Sequence, residues 1–201
     1  MSAIDDRTLR EAALRKSAES IAAQQRFFDE SAERLVACAR SMAAAFDAGG
    51  RLLTFGNGGS ACDAQHAAVE FMHPIFVKRP ALPAMALTTD GALLTAIGND
   101  EDFALGFVKQ LRMLGRAGDV ALAISTSGKS ANVLRALGAA REMGMVTVGF
   151  AGQGGAKMVA ACDHCFVAPS YAIHRVQEVH TAILHVLWDL VHLARGEDDV
   201  L

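Results

Sequence analysis

Val120-Ala121-Leu122-Ala123-Ile124-Ser125-Thr126-Ser127-Gly128-Lys129-Ser130 joins a short apolar run to a turn built of small hydroxyl residues. The uninterrupted apolar run reads as a strand buried on both faces, as strands are in parallel sheets. A helical pattern follows at 131–143. A strand that opens through such a turn into a helix makes an anion site. The first-turn N–H groups have no partner within the helix, and the helix dipole adds partial positive charge there. Ser and Thr hydroxyls rotate to donate to phosphate oxygens, and Gly128 lets the backbone come close. The segment predicts that the chain holds a phosphorylated small molecule.

Working outward, the same strand–turn–helix unit recurs. A strand at 51–55 leads through Gly56-Asn57-Gly58-Gly59-Ser60 into a helix at 61–73. Residues 84–87 read as a strand, followed by helical stretches to about residue 115, and 146–150 as another, followed by Gly152-Gln153-Gly154-Gly155 and a short helix. A last short strand at 165–168 precedes a long helix at 173–194. Short apolar strands alternating with helices predict one α/β domain, a parallel sheet covered on both faces. Ligands in such sheets bind outside the carboxyl ends of the strands, where both small-residue turns fall. Upstream, residues 4–48 are helical in pattern and contain no Gly or Pro. They read as two helices with a break near 26–30, stopped by Gly49-Gly50. Such a pair has little core of its own and must pack on the main domain, on another subunit, or on both.

The 201-residue chain carries a formal net charge of −3, which gives no global attraction for nucleic acid or an anionic membrane. Its 52 % apolar content supports a large core. No apolar run approaches the roughly 20 residues that span a bilayer. Residues 1–15 are charged and lack the apolar centre of a signal peptide, so a cytoplasmic location is expected. The cysteines are Cys38, Cys62, Cys162 and Cys165. A zinc ribbon needs a second pair beside Cys162/Cys165, so packing thiols are favoured over a metal or redox role.

The turn at 56–60 lacks both the P-loop lysine and G-x-G-x-x-G spacing, which disfavours nucleotide and dinucleotide binding. Paired with the turn at 125–130 it suits a sugar phosphate: one turn holds hydroxyls, the other phosphate. His66 and Glu70 stand four apart on one helix face. That spacing serves a metal ion, a histidine-oriented carboxylate base, or a plain surface pair. The final helix carries His174, Gln177, Glu178, His180, His185 and His192 among apolar residues. Gln177 and His185 differ by about 80° in direction and about 12 Å along the axis. One helix could hardly bring both to a single ion, so two chains are expected to contribute if both serve one centre.

GNGGSACDAQH at 56–66, Glu70, ALTTD at 86–90, GND at 98–100, ISTSGKSANV at 124–133 and RVQEVH…H at 175–185 together resemble the sugar isomerase (SIS) domain proteins, most closely the phosphoheptose isomerases. The resemblance covers essentially the whole chain. It implies an α/β fold: a three-layer αβα sandwich around a five-stranded parallel sheet, the flavodoxin-like SIS fold. Residues 1–50 would be a helical pair used in oligomerisation and residues 51–201 the SIS domain. It implies a cytoplasmic homotetramer with active sites at subunit interfaces, converting sedoheptulose 7-phosphate to D-glycero-D-manno-heptose 7-phosphate through an enediol, the first step toward nucleotide-activated heptose. In that family Glu70 resembles the general base and His185 its acid/base partner, with His66, Glu70, Gln177 and His185 at positions that hold zinc. Ser125, Thr126, Ser127 and Ser130 resemble the phosphate cradle. Asn57, Gly58, Gly59, Ser60, Asp90, Asn99, Asp100 and Gln177 resemble further substrate contacts.

Two departures stand out. His73-Pro74 replaces a Gly-Arg pair, and His174 replaces an acidic residue three before the glutamine. They leave open an isomerase for a different ketose phosphate. A non-catalytic branch of the family, which binds the replication initiator, is a further alternative, disfavoured by the retention of both Glu70 and His185.

Overall fold

The apolar run becomes strand β3 (Val120–Ser125), with all six residues buried. In the computed structural model it pairs on one side with β1 (Leu52–Gly56) and on the other with β4 (Val146–Ala151). The edges are β2 (Ala84–Ala86) and β5 (His164–Val167). The order is β2-β1-β3-β4-β5, and every pairing is parallel. The structure describes residues 4–75 and 79–199, which include every candidate site residue; residues 1–3 of the expected N-terminal segment and 200–201 at the domain's end lie outside them.

From β1 the chain moves to β2 on one side, then returns to place β3 on the other. The crevice between β1 and β3 is therefore a topological switch point, where ligands of open α/β sheets bind. Gly56 lies opposite Ile124 in register, so the two turns leave the sheet side by side.

Strand alternation sorts the core into two faces. Leu52, Val120, Leu122, Ile124, Val148, Phe150 and Phe166 face α1 (Asp6–Asp47), α2 (Gly59–Met72) and α7 (Ile173–Ala194). Leu53, Phe55, Ala121 and Ala123 face the other way, toward α4 (Gly106–Leu114) and α5 (Ala131–Glu142). Between β2 and α4 lie α3 (Gly91–Asp100) and a single 3-10 turn, Phe103–Leu105. The short α6 (Ala156–Ala161) precedes β5. The result is the expected αβα sandwich. All four cysteines are free thiols. Cys162 and Cys165 turn their sulfurs over Gly149, where a Cβ would lie 2.6 Å from Cys162 Sγ.

The N-terminal segment differs from its reading. It is one unbroken helix of 42 residues, not a pair with a break at 26–30. Asp5 caps it by accepting from Thr8 N at 2.7 Å, and nothing inside interrupts it. What changes near residue 27 is the surroundings. No residue of α1 before Phe27 is buried, whereas Phe27, Leu35, Cys38 and Met42 are core residues. Arg26 Nη2 donates to Pro169 O at 2.7 Å, and His164 Nε2 lies 3.0 Å from Ser41 Oγ, so α1 also covers the outer edge at β5.

Candidate functional site

The turn after β3 closes with Gly128 N donating to Ser125 O at 3.0 Å and Lys129 N donating to Ser127 Oγ at 3.2 Å. Ser125 Oγ and Ser130 Oγ stand 3.1 Å apart across it. Ser130 is the N-cap residue of α5, yet its side chain makes no capping bond; Val133 N is taken by Asn132 Oδ1, which leaves the N–H groups of Ala131 and Asn132 to face an anion. Gly128 has φ +62°, and a Cβ there would lie 2.8 Å from Gly155 Cα. This position needs glycine both for its conformation and for the close approach of the 152–155 loop. Lys129 is exposed beside the turn.

The second turn starts α2. Ser60 N donates to Asn57 O at 3.1 Å and Ala61 N to Gly58 O at 2.9 Å. Ser60 is buried. Asn57 is tied across the crevice to Asn132, at the start of α5, by amide–amide hydrogen bonds. Gly59 is shaped by α7: a Cβ on it would fall 2.0 Å from Gln177 Nε2.

Two turns along α2, His66 Nε2 lies 3.1 Å from Glu70 Oε1. His185 Nε2 on α7 lies 3.3 Å from His66 Nε2, with the rings edge-to-face at a centroid distance of 4.9 Å. All three ligand atoms lie within 4.8 Å of one another. Two imidazole nitrogens and one carboxylate oxygen turned to a common point form a donor set that suits zinc. It is also an arrangement that can shuttle protons.

These three residues come from a single chain, and Gln177, the fourth expected ligand, meets α2 two turns earlier. α7 runs alongside α2 in the same direction. Gln177 meets α2 at Gly59 and His185 meets it at His66, so the eight-residue spacing on α7 is matched by a seven-residue spacing on α2.

Asp90 caps α3, its Oδ1 accepting from Leu93 N at 2.8 Å, and so places its carboxylate just beyond β2. Asn99 Nδ2 donates to Asp100 Oδ1 at 2.7 Å at the exposed end of α3. The turn that follows docks on α5 through Arg135 Nη1 and Asp102 Oδ2 at 3.0 Å. His174 and His73 are exposed.

Sequence reasoning passed over Asp63. Asp63 Oδ2 is buried with no partner among the described residues, and burial pushes its carboxyl up to about 6, against the pull of nearby His66. Its only sequence signal is a position one helical turn before His66. His180 is fully buried on α7, with Nε2 2.9 Å from Ala151 O, and burial pulls its imidazole down to about 4.

Comparison with known proteins adds an independent line. The profile of the SIS domain family matches residues 17–152, more than half of the chain. The phosphoheptose isomerase of Solidesulfovibrio magneticus is 53 % identical over 173 residues, covering 86 % of this chain and 84 % of that one. That of Nitratidesulfovibrio vulgaris (strain DSM 19637 / Miyazaki F) is 45 % identical over 181 residues, covering 90 % and 87 %. Among solved structures, the phosphoheptose isomerase of Neisseria gonorrhoeae superposes with a TM-score of 0.86 at 41 % identity, covering 92 % of this chain and 99 % of that one. The Francisella tularensis phosphoheptose isomerase gives 0.85 at 33 % identity, covering 92 % and 97 %.

Proposed function

The chain belongs to the SIS domain family, and on that premise we propose that it is an aldose–ketose isomerase of a phosphorylated heptose, taking sedoheptulose 7-phosphate to D-glycero-D-manno-heptose 7-phosphate. The observation that carries this reading is the convergence of Glu70 Oε1, His66 Nε2 and His185 Nε2 within 4.8 Å, at the helix that opens from the turn beside the hydroxyl turn. Relatives at 45–53 % identity are named as phosphoheptose isomerases, so the alternative of a non-catalytic binder has no support.

The chemistry follows from the residue types. Ser125, Thr126, Ser127 and Ser130, with the α5 N-terminus, hold the phosphate and fix the substrate's position away from the reacting carbons. Asn57, Gly58, Gly59 and Ser60 meet the sugar hydroxyls, and the family resemblance adds Asp90, Asn99 and Asp100 as further substrate contacts. Glu70 removes the carbon-bound proton next to the carbonyl and returns it to the neighbouring carbon. His185 carries protons between the two oxygens, so that the intermediate is an enediol. Each such group is commonly worth about 10²–10⁴-fold in rate. His66, Glu70 and His185, with Gln177 alongside, would hold zinc, which when bound supplies Lewis-acid polarisation of the sugar oxygens.

The same reading carries a homotetramer. Leu14, Ile21, Phe28, Leu35 and Met42 recur every seven residues along α1. The last two are buried in the body, while Leu14 and Ile21 are 57 % and 65 % exposed, an apolar stripe that continues past its own core and asks for a partner chain. Residues 1–50 then serve as the assembly element and 51–201 as the catalytic domain. No helix among the described residues is long and apolar enough to cross a membrane. A cytoplasmic site of action is the location in which a charged sugar phosphate would meet this protein.

The test is direct. Incubation with sedoheptulose 7-phosphate should yield an aldose heptose phosphate. Glu70→Gln should abolish that turnover and, on metal analysis of protein purified without chelator, reduce zinc content. Turnover that survives the substitution would remove the mechanism.

A further inference from the structure

Asn132 is 5 % exposed and stands second in α5, directly behind the phosphate turn. Its amide and that of Asn57 are paired reciprocally. Asn132 Nδ2 donates to Asn57 Oδ1 at 2.8 Å, and Asn57 Nδ2 donates to Asn132 Oδ1 at 2.9 Å. Asn132 Oδ1 also accepts from Val133 N at 3.0 Å. A carbonyl oxygen has two lone pairs, and both are taken here. The order of dictation is therefore legible. The α5 backbone N–H requires the oxygen of Asn132 on its own side; that fixes the Asn132 amide, which in turn fixes the Asn57 amide. Flipping either amide would set nitrogen against nitrogen and oxygen against oxygen. Once clasped, Asn57 keeps one N–H and one lone pair for another partner, both with a set direction. The clasp also ties the first turn of α5 to the turn that opens α2, across the β1/β3 crevice.

We propose that Asn132 is a positioning residue of the isomerase: through Asn57 it decides which hydrogen-bonding groups face the sugar, and it holds the hydroxyl turn at a fixed distance from the phosphate turn. The proposal rests on the isomerase reading above for its substrate, and on the amide pair for its geometry.

A double-mutant cycle tests it, using the full-length chain, sedoheptulose 7-phosphate as substrate and inorganic phosphate as a probe of the phosphate turn alone. Asn132→Ala and the near-isosteric, uncharged Asn132→Leu should each raise KM about tenfold, the scale of one neutral hydrogen bond, with kcat changed much less. In an Asn57→Ala background the same substitutions should change KM by less than about twofold, because the route through Asn57 is already gone. Inhibition by inorganic phosphate should stay within about twofold, since one displaced contact outside the phosphate turn leaves that turn intact. Independent effects in the two backgrounds, or an equal loss of phosphate affinity, would make Asn132 a mere support of α5 and overturn the proposal. A readout independent of turnover accompanies the kinetics. The side-chain NH₂ resonances of Asn57 should be protected from exchange in the unmodified protein and lose that protection in Asn132→Leu, which removes the accepting oxygen. Unchanged resonances would overturn the clasp itself, whereas an unmodified chain that turns over no heptose phosphate would sink the isomerase reading and leave the resonances to decide the clasp.

Discussion

Gly59 shows how much a single residue can say about the site. The Gln177 amide occupies the space where its side chain would be, with Nε2 2.0 Å from an ideal Cβ. Gly59→Ala must therefore displace Gln177, and His185 sits on the same helix. Helix propensity at the start of α2 would improve with Ala, so the fold should tolerate the change. The expected result is a fall in kcat/KM on the order of a hundredfold, the cost of a small misplacement near a reacting centre, with little change in the unfolding midpoint. A variant as active as the unmodified chain would mean that Gln177 plays no part. Residues of this kind divide by whether their partner is near in sequence. The His66/Glu70 pair was visible from its spacing alone, because four residues on a helix place two side chains together whatever surrounds them. The Gly59–Gln177 approach and the Asn57–Asn132 pair each join positions far apart in the chain, and no local pattern announces them. Asp63 was hidden for a related reason: a carboxylate on a polar-looking stretch is ordinarily solvated, and only the packed chain reveals one oxygen buried without a partner among the described residues.

At the scale of elements, α7 does the positioning. Its limits at Ile173–Ala194 coincide with the helical pattern in the sequence, because Val176, Val179, Ile183, Leu187 and Val191 keep one side apolar throughout. Spacing on that helix alone suggested that Gln177 and His185 could not serve one centre. Along α2, the parallel partner helix, they stand seven residues apart, at Gly59 and at His66. His180 fastens α7 to the end of β4 through Ala151 O, which requires the Nε2–H tautomer and leaves Nδ1 buried without a partner among the described residues. Burial depresses its pKa from 6.5 to about 4, so the folded state rejects a proton that the unfolded chain accepts. The resulting stability is fully present above pH 6.5 and is lost as pH falls through about 4. Its upper size is about 3 kcal/mol, from the shift itself. His180→Gln keeps a donor for Ala151 O but cannot titrate. Denaturant midpoints measured from pH 7 to pH 4 should therefore fall more steeply for the unmodified chain than for the variant. Parallel curves would show that His180 titrates as it would in water.

At the scale of the whole molecule, the sheet and its order of elements were legible because β-strands buried on both faces leave uninterrupted apolar runs and their turns are marked by small residues. The N-terminal segment was misread for an equally physical reason. A change from solvent-facing to core-facing residues near Phe27 resembles the end of one element and the start of another, yet the backbone hydrogen bonds run straight through it. That long helix carries the last expectation. All of its buried residues lie at Phe27 or beyond, so the body should fold without help from the first half. Arg175 on α7 donates to Lys16 O, which holds the exposed half beside the start of the helix that bears Gln177 and His185. Leu14 and Ile21 remain exposed there, and burying each against another chain would contribute about 1.5–3 kcal/mol. Leu14→Glu with Ile21→Glu would replace that gain by the cost of buried charge at every contact between copies. Light scattering on the eluting protein should then report a mass well below that of the unmodified assembly, while circular dichroism keeps the helical content of the folded body. If the doubly charged variant elutes with unchanged mass, the stripe on α1 is not an assembly surface, and the apolar residues at 14 and 21 are ornaments of a solvated helix.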